Sequence, residues 1–189
     1  MSEDHFHVHG PHEHEAEHRA LHDPFASRIA VMTAIFATIG ALFGYMGGAT
    51  QNDALLFKNE AVMRRTEASD QWNFYQAKSS KQNLAELGAT LTTGDQQARY
   101  LKEVDRYKGE KEAIMPEARK LEEQSKAAEL RSEASMHVHH RWAQATTLIQ
   151  IAIALAAITI LTRNKGLQAV AYVTAGGAMI IGALAFAHI

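Results

Sequence analysis

The chain has 189 residues, with 19 basic and 21 acidic side chains, a formal net charge of −2 and no cysteine. The missing thiols exclude disulfides, thiolate metal sites and cysteine nucleophiles, and the charge balance offers no basic face to nucleic acid. Mean hydropathy is −0.22, the average of a soluble protein, yet the apolar residues are gathered into three blocks.

The first element in chain order is a tail over 1–23. It holds seven of the eleven histidines in HFHVHGPHEHEAEHRALH, residues 5–22. His5, His7 and His9 share a face only in an extended chain, while His14, His18 and His22 fall on one face of a helix. His12 lies between the two sets, and Glu13, Glu15 and Glu17 supply oxygen ligands. Neutral imidazole suits zinc, copper and nickel, so weak capture of a divalent transition metal, or pH sensing, is one expectation. The competing expectation is a disordered tail with incidental metal affinity, because nothing in the pattern fixes a geometry or a second shell. No resident cofactor is expected.

Asp23-Pro24 is a helix start, with Asp as N-cap and Pro at the first helical position. It opens the segment 24–50, whose apolar core is IAVMTAIFATIGALFGYMGGA, residues 29–49. About 20 such residues cross ~30 Å of hydrocarbon as a helix. The block is too long for a signal peptide, and the residues before it are acidic rather than basic, so a retained anchor is expected. Gly40, Gly44 and Gly48 form two overlapping GxxxG steps, a face that lets helices approach closely, within the chain or between chains.

Residues 51–141 carry 15 basic and 15 acidic side chains. The segment is rich in Ala, Glu, Gln, Lys, Arg and Leu, which predicts helix. LGATLTTGD, 87–95, is the clearest turn signal, with Gly88 and Gly94. A seam of alternating four- and three-residue steps flanks it. Upstream it runs Ala61, Arg65, Ala68, Trp72, Tyr75, Ser79, Gln82; downstream it runs from Tyr100 through Ala118, Leu121, Ser125 and Ser132 to His139 and Trp142. The pattern predicts a long antiparallel, coiled-coil-like hairpin with its tip near 88–95. Pro116 is expected to bend or interrupt the second arm, and Glu60–Arg64 and Glu122–Lys126 are favourable i,i+4 pairs. HVHHRW, 137–142, places Trp142 as an anchor at the membrane interface.

AQATTLIQIAIALAAITILT, 143–162, falls in the second span (142–162), and LQAVAYVTAGGAMIIGALAFAHI, 167–189, is the third. The short basic loop RNKG, 163–166, joins them. Ala171–Ala175 and Ala178–Gly182 are small-xxx-small pairs. The spans hold no ionisable residue except His188, which argues against an ion-coupled carrier. An oligomeric pore lined by Gln144, Thr147 and Gln150 is conceivable.

This layout, with the stretch SDQWNFYQAKSSKQNLAE at 69–86 and above all QWNFYQAKS at 71–79, resembles the bacterial membrane proteins of the domain of unknown function 4337 family over about 29–189. The resemblance implies a multi-pass membrane protein with a helical hairpin. It implies no activity and supplies no catalytic residue. Read from the residues alone, Trp72 and Tyr75 lie on one helical stripe, with Phe74 and Lys78 on a neighbouring one. The stripe is either packing inside the hairpin or a docking surface.

The fold class expected is thus all-α and integral to the membrane, with three transmembrane helices and the hairpin between the first and second. Positive charge at Arg28, Arg163 and Lys165 puts the tail and the short loop in the cytoplasm and the hairpin in the periplasm of a bacterial inner membrane. No nucleotide, zinc-hydrolase or nucleophile-elbow motif is present, so no enzyme is expected. The expected function is a structural or interaction scaffold. It would act through the hairpin (Trp72, Phe74, Tyr75, Lys78) and the membrane faces (Gly40, Gly44, Gly48). Its partners would be membrane lipid and a second copy or another membrane protein, with no nucleic acid. The alternative is a metal-handling or channel-like membrane protein that uses the tail histidines.

Overall fold

The computed structural model describes residues 23–188; His5, His7, His9, His12, His14, His18 and His22 lie outside them. The described residues form helices α1 (Pro24–Leu91), α2 (Asp95–Thr162) and α3 (Lys165–Phe186), with no strand among them. Each of the three holds a stretch long and apolar enough to cross a membrane. The chain divides into two compact units. One comprises the residues up to Thr50 with His137–Ile189, and the other is Gln51–Met136.

In the apolar unit, α1 starts where a cap dictates. The Asp23 carboxylate accepts from Phe25 N at 3.0 Å, and the Asp23 carbonyl accepts from Ser27 N at 3.0 Å. Asp23 also pairs with Arg163. That residue sits in the left-handed region (φ 52°) in the two-residue link from α2 to α3. Asn164 caps α3 by accepting from Gly166 N at 2.8 Å, so α3 begins at Lys165, two residues before the apolar block suggests. The core is Ile29, Met32, Phe36 and Phe43 of α1, Trp142, Ala145, Ile149, Ala152 and Ala156 of α2, and Ala175, Ala178 and Ala185 of α3. Most α2 and α3 contributors are alanines, so the helices approach closely and the large α1 side chains fill what remains.

In the other unit, α1 and α2 run antiparallel, as the pairing of their residues shows. Gln97 Nε2 donates to Ala89 O at 3.0 Å, Ser125 Oγ to Ala61 O at 2.8 Å, and Ser132 Oγ to Ala54 O at 2.8 Å. As α2 advances, its partner on α1 recedes by the same count. The buried positions on α1 are Ala54, Ala61, Ala68, Ala85 and Ala89, and those on α2 are Ala118, Leu121, Ser125, Ala128 and Ser132. Arg65 is exposed, and the seam between Ala61 and Ala68 passes instead through Arg64, which is half-buried. Arginine at both positions made the two paths indistinguishable by hydropathy.

The tip is Thr92–Gly94, with Gly94 at φ 64°. The last carbonyls of this part of α1 find side-chain donors: Thr90 for Leu87, Thr92 for Gly88 and Gln97 for Ala89. These bonds satisfy groups that a helix end leaves orphaned. Gly88 is not part of the turn. It is helical, and the Tyr100 ring packs where a Cβ would be, 2.9 Å away. Pro116 does not interrupt α2, which runs through it. Pro116 and Glu112 are both exposed, so the carbonyl that loses its helical N–H partner is on the solvent side.

Candidate functional site

The aromatic motif of α1 is spent largely within the hairpin. Trp72 Nε1 donates to Glu122 at 2.8 Å and its ring meets Tyr75 edge-on at 5.6 Å. Lys111 lies over Tyr75 at 5.3 Å. Lys78 pairs with Glu110 at 2.5 Å and sits 5.7 Å from the Tyr107 ring centre. The hydrogen bond from Lys78 holds the Glu110 carboxyl below the usual carboxylate range, helped by Arg106 and Lys81 and opposed by burial. Lys58 does the same for Glu129, 2.6 Å away. Phe74 is different: it is 57% exposed. Glu122 is thus turned to Trp72 rather than to Lys126, and Arg64 pairs with Glu67 at 2.9 Å rather than with Glu60.

The glycines of α1 divide in the same way. A Cβ on Gly40 would meet Ile149 at 3.1 Å, while around Gly44 and Gly48 there is nothing within 4 Å. The buried glycine of that stretch is Gly47, against Trp142 at 3.4 Å. On α3 the pairs Ala171–Ala175 and Ala178–Gly182 are all buried. Gly182 is required by its neighbour, because a Cβ there would meet the Phe43 ring at 2.7 Å.

These contacts fix how the apolar unit is oriented. α1 meets α2 through Gly40 and Gly47 and meets α3 through Phe36 and Phe43. At 100° per residue, Ala30, Ala34, Ala37, Ala41, Gly44 and Gly48 fall on the side of α1 turned away from α3, and all six are exposed. On α2 the corresponding side carries Ala143, Thr147, Gln150, Ala154 and Ala157, also exposed. One face of the α1–α2 pair is covered by α3. The opposite face is uncovered and built of small residues around the Gln150 amide. Thr147 Oγ1 returns to Ala143 O of its own helix at 2.9 Å. Gln144 is exposed too, about 120° away from Gln150.

The second histidine cluster splits. His139 Nδ1 lies 2.8 Å from Gly47 O; a carbonyl has no proton, so this nitrogen carries one and donates. His137 and His140 are exposed. Trp142 is 4% exposed and packs on Phe43 at 5.4 Å, an interior position rather than a headgroup anchor. Among the described residues no three His, Asp or Glu side chains are grouped to hold a metal.

No curated protein and no solved structure matches the chain. The family model described as Domain of unknown function (DUF4337) matches residues 25–188, which takes in all three helices. The chain therefore belongs to the domain of unknown function 4337 family.

Proposed function

We propose that this is a non-catalytic, multi-pass protein of the bacterial inner membrane that self-associates through the uncovered α1–α2 face and presents its hairpin as a scaffold. The tail and the 163–164 link face the cytoplasm, where Arg28, Arg163 and Lys165 are favoured, and the hairpin faces the periplasm. The observation that carries this reading is the composition of that one face: six small residues of α1 beside three alanines and an exposed glutamine of α2. Small residues let backbones approach, and an amide in hydrocarbon gains by meeting a partner across the interface, by about 0.6–2 kcal/mol in membrane helices. Gln150 carries both a donor and an acceptor, so a second copy of itself satisfies it.

The test is native mass spectrometry of the untagged protein in detergent. Wild type is expected as a defined oligomer; Gly44→Leu and Gly48→Leu, which have free space within their own chain, are expected to reduce the subunit count. A monomeric wild type, or leucine variants with an unchanged count, refutes the reading.

A further inference from the structure

On the other flank of α1 an open groove of about 470 Å³ runs between α1 and α3. Its walls are Val31, Ile35 and Phe36 of α1 and Tyr172 of α3, and its mouth is Ser27 and Arg28. Phe36 is buried and meets Tyr172 edge-on at 6.4 Å, which closes the deep end. From Ser27 to Phe36 the helix rises about 13–14 Å, close to the ~15 Å of one leaflet. The mouth is cationic and the trough apolar. The described residues of this unit contain one acid, Asp23, and its carboxylate is taken up by the α1 N-terminus and Arg163. Arg28 therefore faces the groove with its charge uncompensated by the described residues of this unit.

We propose that this groove binds one anionic glycerophospholipid, with its phosphate on Arg28 and Ser27 and one acyl chain lying along Val31 and Ile35 as far as Phe36. Arginine holds phosphate through paired, charge-assisted hydrogen bonds, and the Tyr172 ring, edge-on to Phe36, supplies apolar wall where the acyl chain would end. The occupant is a lipid rather than a second copy because the groove joins a cation at its mouth to an apolar trough about one leaflet long.

The experiment is native mass spectrometry of the full chain in detergent, titrated with phosphatidylglycerol or phosphatidylcholine of the same acyl chains. Wild type is expected to keep one phosphatidylglycerol per chain with about a tenfold preference. Arg28→Gln should abolish the preference, Lys165→Gln should leave it intact, and Val31→Trp, which fills the trough at an exposed position, should remove binding of both lipids. Equal retention of the two lipids by wild type, equal losses in Arg28→Gln and Lys165→Gln, or full binding by Val31→Trp would each overturn the proposal. So would phosphatidylglycerol binding that appears only when residues 1–22 are deleted, since the tail would then be the occupant. The subunit count read in the same spectra separates this outcome from the fate of the oligomer: a count that changes in Val31→Trp makes the groove an interface between copies.

Discussion

Replacing Ser125 or Ser132 by alanine isolates what holds the hairpin closed. Each hydroxyl is nearly buried, at 8% and 7% exposure, and each donates at 2.8 Å to a carbonyl of the facing helix. That carbonyl already accepts a helical N–H, so the substitution leaves no orphan behind. The loss is the net value of a neutral bond, about 0.5–1 kcal/mol at each site. The two sites are seven residues, about 10 Å, apart along α2, far enough to add, so the double variant should lose about 1–2 kcal/mol. Under fast-closing conditions that converts to about 5–30-fold faster amide exchange. The assay is hydrogen-exchange mass spectrometry on the full chain, read in peptides covering 54–68 and 118–132. Ala61→Leu provides the contrast: Ala61 is 5% exposed, and a larger side chain at a seam this close should cost about 1–3 kcal/mol by overpacking. If the double serine variant exchanges like wild type and Ala61→Leu is also silent, the seam is not closely packed and the reasoning fails.

Four further outcomes are expected. Gly182→Ala should lower thermal stability by about 1–3 kcal/mol, because its Cβ would strike Phe43; Gly176→Ala, with nothing within 4 Å, should not, and thermal unfolding in detergent compares them. Glu110 has its carboxyl held down by Lys78, so its contribution to hairpin stability is full at neutral pH and is lost as pH falls through and below the ordinary carboxylate range. Glu110→Gln should therefore flatten the acid limb of stability between pH 6 and pH 3 (approximate limits), measured by circular dichroism. Deleting residues 1–22 should leave the subunit count unchanged, since the face proposed to associate belongs to α1 and α2. Single cysteines introduced at Thr93 and Lys165 in this cysteine-free chain should label from opposite sides of the membrane, with Thr93→Cys reactive in intact spheroplasts and Lys165→Cys reactive only after lysis.

The helical class and the antiparallel order were legible because both depend on periodicity. The downstream seam from Tyr100 to Trp142 is buried or half-buried at every step named from the sequence that the structure describes. The cap at Asp23 was legible for a similar reason, because Asp-Pro has few other uses. What could not be read was direction within a period. Gly44 and Gly48 satisfy the same spacing rule as Gly40, yet only Gly40 meets another helix of its own chain, since spacing says that a face is small but not what lies against it. Trp142 carried the signature of an interface anchor and is instead covered by Phe43. Its position beside Gly47 decides that, and a contact with a residue 95 positions away leaves no local trace. The groove at Arg28 had no sequence signal, because Tyr172 enters it from a third helix.

The two small-residue stripes of the apolar unit differ in what covers them, and the difference bears on why a second copy is the partner proposed. On α3 the stripe Ala171, Ala175, Ala178, Gly182 and Ala185 is wholly consumed inside the chain, and its opposite face carries Val173, Ile180 and Leu184, large side chains suited to lipid. On α1 the exposed Val31, Ile35 and Leu42 likewise share one side and Tyr45 borders the small run, while Ala30, Ala34, Ala37, Ala41, Gly44 and Gly48 are small and uncovered. Lipid tails gain nothing from a flat surface of alanine and glycine that they would not gain from leucine, since no hydrophobic force distinguishes the two in hydrocarbon. A helix face gains a great deal, because dispersion and Cα–H···O contacts grow steeply as backbones near one another. The face on α2 repeats this composition around Gln150, so both halves of the surface favour helix over lipid. In the proposed self-association, a two-fold axis through this face would set each Gln150 opposite its copy, and a closed pair of this kind would leave no second small-residue face to propagate a chain.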